Sequence, residues 1–158
     1  MTRVFALDPD DWPIWRELRL RALEDAPEAF GSTLADVLER DTERHWRAGV
    51  SAPMVPFVAE HDGVPAAMGR LMVPESHDAP VELISVWVAP EHRGRGVGRA
   101  LITAAAERHA LQHPRARLLL AVVETNVPAR ALYSRCGFTV IGRNPDDAAE
   151  LLMEHGAP

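Results

Sequence analysis

The sequence predicts an α/β or α+β fold in which helices flank one mixed β-sheet. Two features of the 158-residue chain carry this prediction. Segments with apolar residues at helical spacing alternate with short, strand-like apolar runs. In addition, an apolar strand at residues 81–89 leads directly into a glycine-rich turn and then a helix. The predicted order is β-α-α-β-β-β-α-β-α-β-β, within a single domain over residues 1–158.

The first third of the chain is predicted to hold one strand and two helices. An apolar run at residues 3–7 precedes an Asp-Pro break, and helical spacing then predicts a helix over residues 11–24. Ser32 or Thr33 can cap a second helix that reaches about residue 46. Because tryptophan buries a large apolar area, we expect the tryptophans of both helices in the core: Trp12, Trp15 and Trp46.

From residue 55 onward the pattern changes to strands. Runs at residues 55–60 and 64–73 are joined by His61-Asp62-Gly63, which indicates a hairpin. The helix after the glycine turn is predicted from about Gly98 to residue 113. Its expected buried residues are Leu101, Ile102, Ala105 and Leu111.

The last third is predicted to contain a central strand, a short helix and a closing pair of strands. The nearly unbroken apolar run at residues 116–123 is typical of a strand buried in a sheet. Asn126 is expected to cap a helix that ends at Gly137. Two closing strands follow, at residues 138–141 and 150–153.

Composition limits the classes of partner and compartment. The net charge of −6 disfavours nucleic acid or an anionic membrane as the main partner, since both are negatively charged and bind basic surfaces. The single cysteine, Cys136, excludes an internal disulfide and fits a reducing compartment. With no apolar leader and no stretch long enough for a bilayer, the sequence predicts a cytoplasmic protein.

The glycine turn is predicted to bind an anion. Gly94, Gly96 and Gly98 allow close approach to the backbone, and the following helix presents free N–H groups at its positive end. Three arginines add charge there: Arg93, Arg95 and Arg99. A nucleoside-triphosphate loop is excluded because Gly98 is followed by Arg-Ala rather than Lys-Ser/Thr, and a dinucleotide fingerprint lacks its third glycine.

The pattern Arg-x-x-Gly-x-Gly at Arg93, Gly96 and Gly98 resembles the pyrophosphate loop of the GNAT superfamily of N-acetyltransferases. Residues 126–138 carry a second likeness to the family. The resemblance implies a mixed, mostly antiparallel sheet and acetyl-CoA as co-substrate, with no metal. It also implies direct transfer of the acetyl group to an amine. The residues it assigns to the coenzyme are Val86, Trp87, Val88, Arg93, Gly94, Arg95, Gly96, Val97, Gly98, Arg99 and Asn126.

The resemblance also implies an acid for the departing thiolate. Tyr133, the only tyrosine, stands where family members carry the tyrosine that protonates the thiolate, and a phenol stays protonated at neutral pH. The alternative is an aromatic side chain packed on the sheet. Asn126 is compatible with both helix capping and contact with the coenzyme.

The sequence identifies the general base less clearly than it identifies the acid. Glu82 lies where one branch of the family carries a catalytic glutamate, and a water chain or a plain strand-end carboxylate are the alternatives. The branch that acetylates ribosomal-protein N-termini has a glutamate at the place of Ala121, which counts against that activity. His109 and His113 have the spacing of a zinc pair but lack a third ligand, so we interpret them as cations at a helix end.

The expected acceptor is a primary amine of a small molecule. Four loop carboxylates suggest a cationic amine: Asp25, Glu28, Asp146 and Asp147. A non-catalytic acyl-CoA sensor and an acetyltransferase of protein amines are the alternatives, and a homodimer is left open.

Overall fold

Seven strands form one mixed sheet in the computed structural model, which describes residues 1–156. The strands are β1 (Thr2–Ala6), β2 (Met54–His61), β3 (Val64–Met72), β4 (Val81–Val88), β5 (Leu118–Val123), β6 (Phe138–Arg143) and β7 (Glu150–His155). Their spatial order is β1-β2-β3-β4-β5-β7-β6. Every neighbouring pair is antiparallel except β4 and β5, which are parallel. The predicted fold class is confirmed.

Five α-helices within residues 1–156 cover the two faces of this sheet. They are α1 (Trp12–Asp25), α2 (Leu34–Leu38), α3 (Glu43–Gly49), α4 (Val97–Gln112) and α5 (Val127–Arg135). One core cluster joins α4 and α5 to the sheet and includes Leu101, Tyr133 and Phe138. The other joins α1 and α3 to the opposite face and includes Trp15 and Trp46. None of the helices in residues 1–156 combines the length and apolarity that crossing a bilayer requires.

The single helix predicted up to residue 46 is wrong, because the chain forms two short helices there. Thr33 caps α2 by accepting a hydrogen bond from the Asp36 amide at 3.1 Å. The helix then stops, and Thr42 caps α3 by accepting from the His45 amide at 3.2 Å. Between them the Asp41 carboxylate accepts bonds from side chains of α1 and α3, so tertiary contacts hold the break.

The buried side of α4 was also predicted incorrectly at its end. Leu111 is 82% exposed, whereas His109 is buried. Position 109 lies one turn after the buried Ala105 and so falls on the same face of α4. Position 111 lies on the opposite, exposed side of the helix. His109 Nε2 donates to the Ala116 carbonyl at 2.8 Å, and burial lowers the pKa of His109. His109 is therefore favoured in its neutral form rather than as the predicted cation.

Parallel pairing between β4 and β5 is limited to two residues of each strand. Val81 pairs with Leu118 and Glu82 with Leu119, and the strands then separate. A bulge in β4 lies just beyond this point, where Ser85 has a φ of 59° and the register with β3 shifts. Bulges bend a strand and increase its twist, which carries the end of β4 away from β5. The separation opens the sheet next to α4 and α5.

Candidate active site

A cleft of about 830 Å³ occupies the opening between β4 and β5. One wall is the end of β4 with the glycine turn and the start of α4, and the other is α5 with the end of β5. The loop after α1 closes one end. Eleven of the predicted site residues line it: Val86, Trp87, Val88, Arg93, Gly94, Gly96, Val97, Gly98, Arg99, Asn126 and Tyr133.

The glycine turn presents unbonded amides to this cleft. Gly94 and Gly96 have φ values of 74° and 79°, a left-handed conformation that side chains other than glycine's rarely adopt. The first intrahelical bond of α4 runs from the Ala100 amide to the Gly96 carbonyl at 3.0 Å. Within residues 1–156, the three preceding amides, those of residues 97–99, have no backbone acceptor. Free amides at the positive end of a 16-residue helix fit a diphosphate.

Position 98 requires glycine for a reason other than backbone angles. A Cβ at this position would lie 3.0 Å from Leu132 Cδ2 and 3.0 Å from Val88 Cγ2. Its φ is not in the left-handed region, so the constraint is space. Glycine here lets the start of α4 lie against both β4 and α5, which sets the width of the cleft.

The arginines of the turn have three different environments. Arg99 lines the cleft together with Arg135, and neither forms an ion pair within the described residues. Arg93 also lines it, but its Nη2 lies 2.6 Å from Asp25 and its Nε donates to the Val88 carbonyl at 3.0 Å.

Arg95, in contrast, is outside the lining of the cleft and exposed. Its charge acts on the β2–β3 hairpin, at Asp62. There the pKa of Asp62 is lowered by a hydrogen bond from the N-terminal ammonium and, to a smaller extent, by the charge of Arg95. Arg95 thus differs in position from the predicted coenzyme residues that line the cleft, and its assignment to the coenzyme stays a prediction.

The end of β4 has a free edge along the cleft. Trp87 and Val88 pair with Met68 and Ala67 of β3, while their other side has no strand partner within residues 1–156. Backbone groups on this edge can therefore bond an extended ligand in the manner of an added strand. The side chain of Trp87 belongs to the core cluster with α1, and its Nε1 donates to Asp25 at 2.9 Å.

Tyr133 lies deep in the cleft wall. Its side chain is 8% exposed and its ring packs against Phe138, with centroids 6.2 Å apart. Within residues 1–156 its hydroxyl has no hydrogen-bond partner, although the residue lines the cleft. Burial raises the pKa of Tyr133, and the nearby Cys136 adds to this effect. The phenol therefore stays protonated at any physiological pH.

Asn126 caps α5 as predicted. Its Oδ1 accepts a hydrogen bond from the Ala129 amide at 3.3 Å, and the residue also lines the cleft. At the other end of α5, Gly137 has a φ of 93°, which confirms the predicted helix stop.

Glu82 lies at the vertex where β4 and β5 separate, paired with Leu119. It does not line the cleft. The lining of β4 begins at Val86, four residues further on, which corresponds to about 13 Å along a strand. Burial raises the pKa of Glu82, with smaller contributions from the negative charges of Glu150 and Asp146.

Several lining residues were not predicted for the coenzyme. The loop after α1 contributes Ala26, Ala29 and Phe30, and α5 contributes Leu132 and Arg135. No local motif marks the loop, because it reaches the cleft only through the packing of α1 on the sheet. Arg135 could have been found, since it lies two residues from Tyr133 in the segment already singled out. Of the four loop carboxylates, Asp25 and Glu28 line the cleft, and Asp146 and Asp147 do not.

Comparison with known proteins identifies the family. A family model described as the acetyltransferase (GNAT) family matches residues 12–138. The chain belongs to this family. The match covers the glycine turn, Asn126 and Tyr133, the places that carried the predicted resemblance. It confirms the predicted family.

Relatives of the GNAT chain include enzymes with different names. A mycothiol acetyltransferase from Thermobispora bispora is 35% identical over 133 residues, which cover 82% of this chain and 43% of that protein. A 5-NmdU N-acetyltransferase from Pseudomonas phage PaMx11 is 40% identical over 90 residues, covering 55% of this chain and 59% of that one. The chain thus spans less than half the length of the mycothiol acetyltransferases it matches.

Solved structures share the GNAT fold. The PaiA N-acetyltransferase from Thermoplasma acidophilum, solved in complex with coenzyme A, superposes with a TM-score of 0.77. The two chains are 16% identical, and the match covers 99% of each. At this identity the likeness concerns the fold.

Proposed function

We propose that this GNAT chain transfers the acetyl group of acetyl-CoA directly to a primary amine of a small molecule. The observation that carries the proposal is the content of one cleft: free amides at the start of α4, a free backbone edge on β4, and Tyr133, whose hydroxyl has no hydrogen-bond partner within the described residues. A relative named for mycothiol, a small molecule, supports a small acceptor.

The residues for the donor follow from the geometry of the cleft. The amides of Val97, Gly98 and Arg99 would hold the diphosphate, and the Arg99 and Arg135 guanidiniums supply charge beside it. The free edge at residues 86–88 would pair with the amides of the pantetheine arm. When bound, acetyl-CoA supplies the acetyl group as a thioester and carries away the thiolate.

Tyr133 holds a proton where the sulfur is expected. With its pKa raised above that of a thiol, the phenol is a weak acid but a permanently protonated hydrogen-bond donor. It can donate its proton to the sulfur as the C–S bond breaks, and the ammonium nitrogen of the tetrahedral adduct, which loses its proton as it becomes the amide, then reprotonates the phenol. A backbone amide of the β4 edge is suited to polarise the thioester carbonyl.

Deprotonation of the amine is assigned to a water chain that leads toward Glu82. The distance of about 13 Å along β4 is too long for direct proton transfer. The raised pKa of Glu82 makes this carboxylate a better base than an exposed one.

Release of free thiol from acetyl-CoA tests the proposal. The protein is incubated with acetyl-CoA and with panels of small amines, polyamines, aminoglycosides and peptide amines, and coenzyme binding is measured separately by calorimetry. We expect coenzyme binding and thiol release with small amines. Binding without turnover of any amine would indicate the sensor, preference for peptides would indicate a protein acetyltransferase, and absence of binding would overturn the proposal.

A further inference from the structure

Strand β4 has one more residue than its neighbour β3 at the point where the cleft begins. Two residues of β4, Ser85 and Val86, stand opposite the single residue Gly69 of β3. Ser85 accommodates the extra length with a φ of 59°, a left-handed conformation that is unfavourable for a residue with a Cβ. The bulge therefore needs contacts from the surrounding structure to keep this conformation.

The extra residue reverses the alternation of side chains along β4. Before the bulge, Val81 and Leu83 belong to the core cluster that contains α4, and regular alternation would place residue 87 there too. After the bulge, Val86 and Val88 pack against that cluster, and Trp87 belongs to the cluster with α1. Because backbone groups alternate with the side chains, the bulge also decides which amides and carbonyls of residues 86–88 point to the cleft.

Arg70 of β3 contacts the bulge from the side of α1 and α3. Its Nε donates to Ser85 Oγ at 3.2 Å, and its Nη1 donates at 2.8 Å to the carbonyl of Gly49, the last residue of α3. The guanidinium carbon lies 5.3 Å from the centroid of the Trp15 ring in α1. Burial lowers the pKa of Arg70, so these hydrogen bonds are partly shielded from water, where an unpaired donor is unfavourable.

We propose that Arg70 and Ser85 are positioning residues for the coenzyme, since their hydrogen bond fixes the β4 bulge and thereby aligns the backbone of residues 86–88 with the pantetheine arm. The inference rests on the proposed function, because it concerns how the same cleft binds acetyl-CoA. Neither side chain has to reach the cleft, since both act through the backbone of β4. Val86, which directly follows Ser85, lines the cleft.

The two halves of the coenzyme should respond differently to a change in the bulge. The diphosphate is assigned to the amides of residues 97–99 in α4, whereas the pantetheine arm is assigned to the edge of β4. Adenosine 3′-phosphate 5′-diphosphate is the nucleotide half of coenzyme A without the pantetheine arm. Its affinity therefore measures binding at α4, and the additional affinity of coenzyme A measures binding along β4.

Calorimetric titration of Ser85→Ala with both ligands tests the inference. The substitution removes the hydroxyl and keeps the Cβ, so the intrinsic cost of the left-handed backbone is retained. We expect Kd for coenzyme A to rise about tenfold, the loss of one or two hydrogen bonds, while Kd for the nucleotide changes by less than about twofold. Equal weakening of both ligands, or no weakening of coenzyme A, would overturn the inference.

Ser51→Ala is the matched control. Ser51 is also half-buried, and its hydroxyl donates to the Arg47 carbonyl at 2.6 Å near the end of α3. This variant should keep the wild-type affinity for both ligands, and thermal unfolding checks that both serine variants are folded. If Ser51→Ala weakens the binding of coenzyme A as much as Ser85→Ala does, the effect is not specific to the bulge and the inference fails.

A double-mutant cycle assigns the effect to the bond between the two side chains. Arg70→Met removes the guanidinium and keeps much of the apolar stem, and we expect it to weaken coenzyme A binding about tenfold. Adding Ser85→Ala to Arg70→Met should then change Kd by less than about twofold, because the bond is already absent. Losses that multiply in the double variant would contradict the assignment. If Arg70→Met does not fold, Arg70→Lys, which keeps the charge without the planar guanidinium, takes its place in the cycle.

Failure of the inference and failure of the proposed function give different results. A wild-type protein that binds neither coenzyme A nor the nucleotide would defeat the proposed function, and the positioning role with it. A wild-type protein that binds both ligands, beside a Ser85→Ala variant with the same two affinities, would defeat the positioning role and leave the proposed function intact.

Discussion

Arg93 and Asp25 form an ion pair of 2.6 Å that connects the glycine turn to the last residue of α1. The same carboxylate accepts a hydrogen bond from Trp87 Nε1 at 2.9 Å, so three elements around the cleft meet at one side chain. The pKa of Asp25 is lowered mainly by the bond from Trp87 and further by Arg93. The pair thus couples the glycine turn to the loop that follows α1.

Replacing Asp25 should loosen this junction. Asp25→Asn keeps the shape but loses the charge, and we expect a loss of about 1 kcal/mol in the free energy of unfolding and a severalfold higher KM for acetyl-CoA. Because the folded-state pKa is lowered, the loss should be complete at neutral pH and should shrink as pH falls below about 4. Glu24→Gln, at the neighbouring exposed position, is the control for urea unfolding at both pH values. Equal stability of Asp25→Asn and wild type at pH 7 would refute the role.

Removing the Tyr133 hydroxyl should affect turnover more than binding. Tyr133→Phe is expected to lower kcat by about 10²-fold or more, the usual contribution of a positioned acid. Stability should hardly change, since the hydroxyl has no hydrogen-bond partner in the described part of the chain. Steady-state kinetics and calorimetric titration with coenzyme A measure the two effects. A kcat close to that of the wild type would assign Tyr133 to packing alone.

The close approach at Gly98 should be intolerant of a methyl group. Gly98→Ala places Cβ 3.0 Å from Leu132 and Val88, and we expect a cost of about 1–3 kcal/mol together with weaker coenzyme binding. Gly142→Ala in β6 is the control, because nothing lies within 4 Å of its added Cβ and its φ is not left-handed. Thermal denaturation compares the two. If both variants melt alike, the width of the cleft does not depend on Gly98.

The raised pKa of Glu82 gives a prediction with a defined sign. As a base it must be deprotonated, so kcat/KM should fall as pH drops through its raised pKa. Glu82→Gln should lower kcat by about 10²-fold and remove that acidic limb. Its stability at pH 7 should equal or exceed that of the wild type, because burial disfavours the charged carboxylate. A pH profile of Glu82→Gln identical to that of the wild type would indicate that water, and not Glu82, acts as the base.

The limits of prediction from sequence are clearest at the second helix and at Arg95. Local caps were recognisable at Thr33 and Asn126, yet the break before α3 depends on Asp41 meeting Arg16 and Trp46. Likewise, three arginines near the turn looked equivalent, whereas the structure pairs Arg93 with Asp25 and leaves Arg95 outside the lining of the cleft. Side-chain direction in a turn depends on backbone angles that residue types alone do not specify.

By itself, the sequence determined the mixed fold, the glycine turn and the family, because these rest on periodicity and on local backbone requirements at Gly94 and Gly96. Only the tertiary structure decided how the distant residues combine: Asp25 with Arg93 and with Trp87, and Glu82 at the vertex of two separating strands. The physical reason is the distance along the chain over which each effect acts. Helical spacing and left-handed turns act over a few residues, whereas charges and clefts depend on segments that the packing of α1 and α5 on the sheet brings together.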